Sequence, residues 1–104
     1  MAVNFELNGN RFLAIQGANP QEFSHAVSFV IECSTQEEID YYWDKLGEGG
    51  VYERCGWLKD KYGLSWQIVP KILSQLLSDS EKAPRVVQAF LAMTKFDIDA
   101  LQKA

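Results

Sequence analysis

Arg54-Cys55-Gly56-Trp57-Leu58-Lys59-Asp60-Lys61-Tyr62-Gly63-Leu64-Ser65-Trp66-Gln67-Ile68-Val69-Pro70 is the stretch whose reading decides the fold. Two apolar strands flank a charged turn that ends in glycine, and a proline stops the second strand. This pattern predicts a β-hairpin with its tip over Lys59 to Gly63, because glycine accepts the positive φ such loops need. Side chains alternate along a strand, so Gln67 points to the face opposite Trp66 and Ile68. An amide aimed away from two large apolar neighbours is either solvated or lines a pocket.

Upstream, the chain announces a helix. Ser34 and Thr35 can each serve as N-cap, and Glu37 or Glu38 follows at capping-box spacing. Gln36, Glu37, Glu38 and Asp40 lie at the start, where negative charge meets the positive end of the helix dipole. Ile39, Tyr42, Trp43 and Leu46 recur at i, i+3, i+4 and i+7, forming one apolar stripe, and Gly47, Gly49 and Gly50 end the element. That stripe is expected to pack on the sheet face carrying Trp66 and Ile68. Before the helix, His25 to Cys33 reads as a strand, with His25, Val27, Phe29, Ile31 and Cys33 on one face and Ala26, Ser28, Val30 and Glu32 on the other. Val51-Tyr52-Glu53 is either a separate short strand or the start of the Arg54 strand.

Downstream of Pro70 the period turns helical. Ile72, Leu73, Leu76 and Leu77 predict one short helix, and Val86, Val87, Phe90 and Met93 predict a second from about Lys82 to Met93. Asp97 is positioned to cap a last helix carrying Ile98 and Leu101. At the other end, Val3, Phe5 and Leu7 alternate with Asn4 and Glu6, which predicts a half-buried strand. Asn8-Gly9-Asn10 turns it back into Arg11 to Ile15, and Gly17 to Glu22, containing Asn19-Pro20, reads as a loop.

Composition narrows the function classes. A chain of 104 residues carries one core, and 47% apolar residues with 12% aromatics exclude a disordered protein. The net charge of −4 argues against nucleic-acid binding, which draws on a basic surface. No apolar run approaches the ~20 residues of a membrane-spanning helix, and the N-terminus lacks a secretory pattern, so a cytoplasmic protein is expected. Cys33 and Cys55 each fall inside an apolar strand and form no Cys-x-x-Cys pair, so both read as buried thiols.

Several segments carry a family resemblance. Ala26 to Phe29, Thr35 to Asp40, Gly49-Gly50, Arg54 to Pro70 and Met93 to Leu101 resemble the PhnB-like family, which also bears the label 3-demethylubiquinone-9 3-methyltransferase. That family belongs to the vicinal oxygen chelate superfamily of glyoxalase I, extradiol dioxygenases and bleomycin- or fosfomycin-resistance proteins. The resemblance implies an α+β fold in three parts. These are a hairpin over 1–16 resembling the end of a first module, a βαβββ module over 25–70, and C-terminal helices over 71–104. The family's usual strand-helix-strand before the hairpin is missing from this chain.

The resemblance also frames the chemistry. In the superfamily a metal ligand near the start of a module's first strand joins one late in its last strand, a few residues after an Asp-x-x-Gly turn. Asp60-Lys61-Tyr62-Gly63 matches that turn, Gln67 stands where a Glu is usual, and His25 falls at the first-strand position. Two neutral donors make a poor site for a hard divalent ion, so no strong metal site and no other cofactor are expected. The expected function is small-molecule binding, with His25, Phe29, Trp57 and Gln67 as candidate ligand contacts and Tyr52 beside them. The alternative is a metal-dependent lyase or dioxygenase-like enzyme using His25 and Gln67, its site completed across a dimer. Gly47-Glu48-Gly49-Gly50 follows a helix instead of opening one, which argues against a Rossmann-type methyltransferase. A homodimer is expected, because the Val3 to Ile15 hairpin has an edge and an apolar face to cover.

Overall fold

The computed structural model describes residues 1–19 and 21–104, and Pro20 of the Gly17 to Glu22 loop lies outside the described residues. Strands β1 (Ala2–Leu7) and β2 (Asn10–Ile15) form an antiparallel hairpin that is a sheet of its own. A four-stranded sheet follows, built from β3 (Ser28–Cys33), β4 (Val51–Tyr52), β5 (Trp57–Lys59) and β6 (Ser65–Pro70), with helix α1 (Gln36–Gly47) between β3 and β4. Its strand order is β3-β6-β5-β4, with β3 parallel to β6 and the other pairs antiparallel. The parallel pair forces a crossover between β3 and the hairpin, and α1 supplies it. Helices α2 (Ile72–Ser78), α3 (Ala83–Leu91) and α4 (Ile98–Lys103) complete the chain. The mixed α+β architecture is the one expected, and Val51–Tyr52 proves to be a separate strand paired with Leu58 and Lys59.

The core lies on one face of the four-stranded sheet. Thr35 Oγ1 accepts the Glu38 amide and starts α1, which buries Ile39 and Trp43 against Leu58 and Ile68. Tyr52 stacks on Trp43 at 4.8 Å between ring centroids, over Gly47, where a Cβ would overlap the Tyr52 ring. Val86, Phe96 and Leu101 extend the same core. Gln36 ties the C-terminal segment down by standing in for backbone. Its Nε2 donates to the Phe96 carbonyl at 2.9 Å, and its Oε1 accepts from the Ile98 amide at 2.8 Å. Asp97 caps α4, as expected.

Three local expectations are corrected. Strand β3, expected from His25, begins at Ser28, because Ser24 Oγ accepts the Ala26 amide and holds His25 and Ala26 in a turn. Cys55 is not in a strand: it sits at φ 58°, followed by Gly56 at φ 77°, in a turn whose amides bond to the Met93 and Thr94 carbonyls. Gly56 is needed there, since a Cβ would meet the Phe96 ring and the Ile68 carbonyl. Cys33, by contrast, is buried in β3 as expected. The third correction concerns the N-terminal hairpin, expected to be half-buried. Val3, Phe5, Leu7, Leu13 and Ile15 are 42–70% exposed, and Phe12 alone is half-buried, edge-on to Phe29 at 5.9 Å.

Candidate functional site on the open sheet face

Register sorts the side chains. Phe29 pairs with Trp66 and Ile31 with Ile68, so Phe29, Ile31, Trp66 and Ile68 share the face that α1 covers. Trp57 and Val30 are both register partners of Gln67, so these three share the opposite face, together with Ser28. Gln67 Nε2 donates to Ser28 Oγ at 2.9 Å, which fixes the amide across the β3–β6 pair. The tip of the β5–β6 hairpin is rigid. Asp60 Oδ1 accepts the Tyr62 and Leu64 amides, and its Oδ2 accepts the Trp66 indole N–H at 2.9 Å.

His25 reaches this open face from outside the strand. The turn around Ser24 lays its imidazole on the Trp57 indole, with ring centroids 5.8 Å apart and planes 12° from parallel. His25 Nε2 lies 3.4 Å from Oε2 of Glu53, the residue just after β4. The other carboxylate oxygen, Oε1, is buried and has no hydrogen-bond partner among the described residues. The open face therefore carries His25, Trp57, Gln67, Ser28 and Glu53 across the four strands.

Two of the expected contacts lie elsewhere. Phe29 and Tyr52 are on the helix-covered face, Phe29 against Trp66 and Phe12, and Tyr52 against Trp43. The reason is the one-residue parity of strands, since the turn at His25 breaks the alternation that linked His25 to Phe29. Ser28 and Glu53 went unassigned for the same physical reasons. Ser28 belongs to the open face only once the strand is known to pair with β6, and Glu53 only once Val51–Tyr52 is a strand.

Gln67 offers a neutral amide whose Nε2 donates to Ser28, and His25 Nε2 faces Glu53. Among the described residues no three His, Cys, Asp or Glu side chains form a group able to hold a metal ion. Burial, with the nearby charge of Glu38 adding to it, pushes the Cys33 thiol up and away from thiolate chemistry. A second recess, of about 900 Å3, runs along the free edge of β3, between Leu7 and Phe12 of the hairpin and Tyr42 of α1.

The comparisons agree with this geometry. The family model described as 3-demethylubiquinone-9 3-methyltransferase matches residues 1–69. A solved structure described as a putative 3-demethylubiquinone-9 3-methyltransferase, PhnB protein, from Bacillus cereus is similar at 34% identity and a TM-score of 0.59. The match covers 67% of this chain and 64% of that one. No curated protein matches the chain. With the hairpin and the βαβββ sheet inside the matched range, the chain belongs to the PhnB-like family that carries the 3-demethylubiquinone-9 3-methyltransferase label.

Proposed function

We propose that this protein binds a small molecule on the open face of its four-stranded sheet. The observation that carries the reading is the convergence of an aromatic platform, Trp57, with the polar groups of His25, Glu53, Gln67 and Ser28 on a face that α1 leaves uncovered. A few fixed polar groups around apolar surface are the usual make-up of a ligand site. In this reading the site works without a strongly held metal, because Gln67 offers a neutral amide where a carboxylate would hold a hard cation. The methyltransferase wording of the family description is left out of the proposal. Gly47 ends α1 and Glu48 to Gly50 follow it, so this run does not open a helix behind a parallel strand. A cytoplasmic setting fits the two free thiols and the absence, among the described residues, of any helix long and apolar enough to cross a membrane.

The same proposal includes a homodimer, with the apolar side chains of β1 and β2 covered by a second copy. Support comes from the exposed row of Val3, Phe5 and Leu7 and from the free edge of β3 beside it. A fragment library screened by amide NMR tests the binding reading. Shifts should gather at Glu53, Trp57 and Gln67. Hits confined to the recess along β3, or no saturable hit at all, would refute it.

A further inference from the structure

The contact between His25, Trp57 and Glu53 has the form of a ligand complex made within one chain. A flat nitrogen heterocycle lies parallel on an indole, and its Nε2 faces a carboxylate. The pairing is incomplete on the protein's side. Glu53 Oε1 is buried without a hydrogen-bond partner among the described residues, and the 3.4 Å approach of His25 to Oε2 is longer than a good charge-assisted hydrogen bond. A buried acceptor left unmatched is costly, and it calls for a further partner such as a ligand, an ion or an ordered water. One imidazole offers a single N–H in this direction, whereas the carboxylate has two oxygens to fill. A fork of two parallel N–H donors would satisfy both, and an indole face attracts the positive charge such a fork carries.

We propose that Trp57 and Glu53 form a subsite for a planar cationic group of the amidinium or guanidinium class, and that His25 is its displaceable stand-in. The inference rests on the open-face binding reading and narrows it to a ligand chemistry. His25 belongs to a short turn held by the Ser24 side chain, and its own side chain is 55% exposed. Its withdrawal therefore uncovers Trp57 without opening the core. The turn that carries His25 then acts as a cover that the ligand exchanges for itself.

Benzamidine and its neutral analogue benzamide, titrated into the full chain and followed at the Trp57 indole resonance, test the proposal. The resonance is assigned by its loss in Trp57→Phe. Benzamidine should bind saturably, at least tenfold tighter than benzamide. Removing the competing imidazole in His25→Ala, or in His25→Gln as a second variant, should tighten benzamidine at least threefold. Glu53→Gln should weaken it at least tenfold while an unchanged amide spectrum certifies the fold. Equal binding of the two probes, or undiminished binding by Glu53→Gln, overturns the cationic subsite and leaves the open face as a general binding surface. Weaker binding by both His25 variants overturns the stand-in role. If neither probe shifts the Trp57 indole, the subsite is refuted. The fragment screen then decides the open-face reading separately.

Discussion

The N-terminal hairpin and the βαβββ module are built from equally regular strands, yet they bury their side chains very differently. In the hairpin, six residue pairs from Ala2 with Ile15 to Leu7 with Asn10 are in register, and all but Phe12 are exposed. In the module, Ile39, Leu58 and Ile68 are fully buried around one core. Backbone pairing alone thus fixes a strand's shape without fixing its stability, which comes from what covers its faces. The elongated envelope, 52 × 26 × 24 Å, carries the same division. The module holds the candidate site, and the hairpin carries the exposed apolar side chains proposed to meet a second copy.

Truncations in the two regions should therefore diverge. Ile68→Ala removes a fully buried side chain and should cost about 3–4 kcal/mol in urea or thermal unfolding. A loss under about 1 kcal/mol would contradict the assigned core. Gly56→Ala, which forces a Cβ into the Phe96 ring at φ 77°, should cost roughly 2–4 kcal/mol, and a neutral outcome would refute that close approach. Phe5→Ala in the hairpin should cost less than about 1 kcal/mol in the dilute monomer. Its effect should grow with protein concentration if a second copy covers that face.

The comparison also explains what the sequence disclosed. The Thr35 cap, the Ile39 and Trp43 stripe, the Asp60-Lys61-Tyr62-Gly63 turn and the cap at Asp97 are local signals, and each appears in the fold, although Lys59, read as part of the tip, ends β5. The polarity of Gln67 against Trp66 and Ile68 was legible because strand parity inside one hairpin is strict. Parity across a turn is not. Ser24 bends the chain at His25 and Ala26, so Phe29 falls on the face away from Gln67, and Ser28 joins Gln67 instead. Glu53 gave no signal at all, since its position depends on a two-residue strand whose pairing with β5 is a tertiary matter. The left-handed backbone of Cys55 was equally hidden, since the Cys55 and Gly56 amides donate to the carbonyls of the distant Met93 and Thr94.

The smallest expected effect is electrostatic. The Lys95 ammonium, and then the Gln36 amide, hold the Asp40 carboxyl below its usual range. A depressed folded-state value means that its contribution is full above the ordinary aspartate range, near 3.9, and is lost as pH falls through the lower folded value. The pair is exposed, so Asp40→Asn should change stability by no more than about 0.5 kcal/mol at neutral pH, and less in high salt. The difference between variant and parent should vanish once the pH is below that lowered folded-state value. A difference that persists or grows there would assign Asp40 another role.

Residue-resolved amide hydrogen exchange, run at nanomolar and at high micromolar protein alongside light scattering, tests the division between the two regions most directly. The account predicts that β3 and β6 amides stay protected at both concentrations. The β1 and β2 amides should gain protection only as the mass rises toward twice the 11.8 kDa of one chain. A mass that stays at 11.8 kDa while the hairpin is protected as strongly as β6 would contradict it.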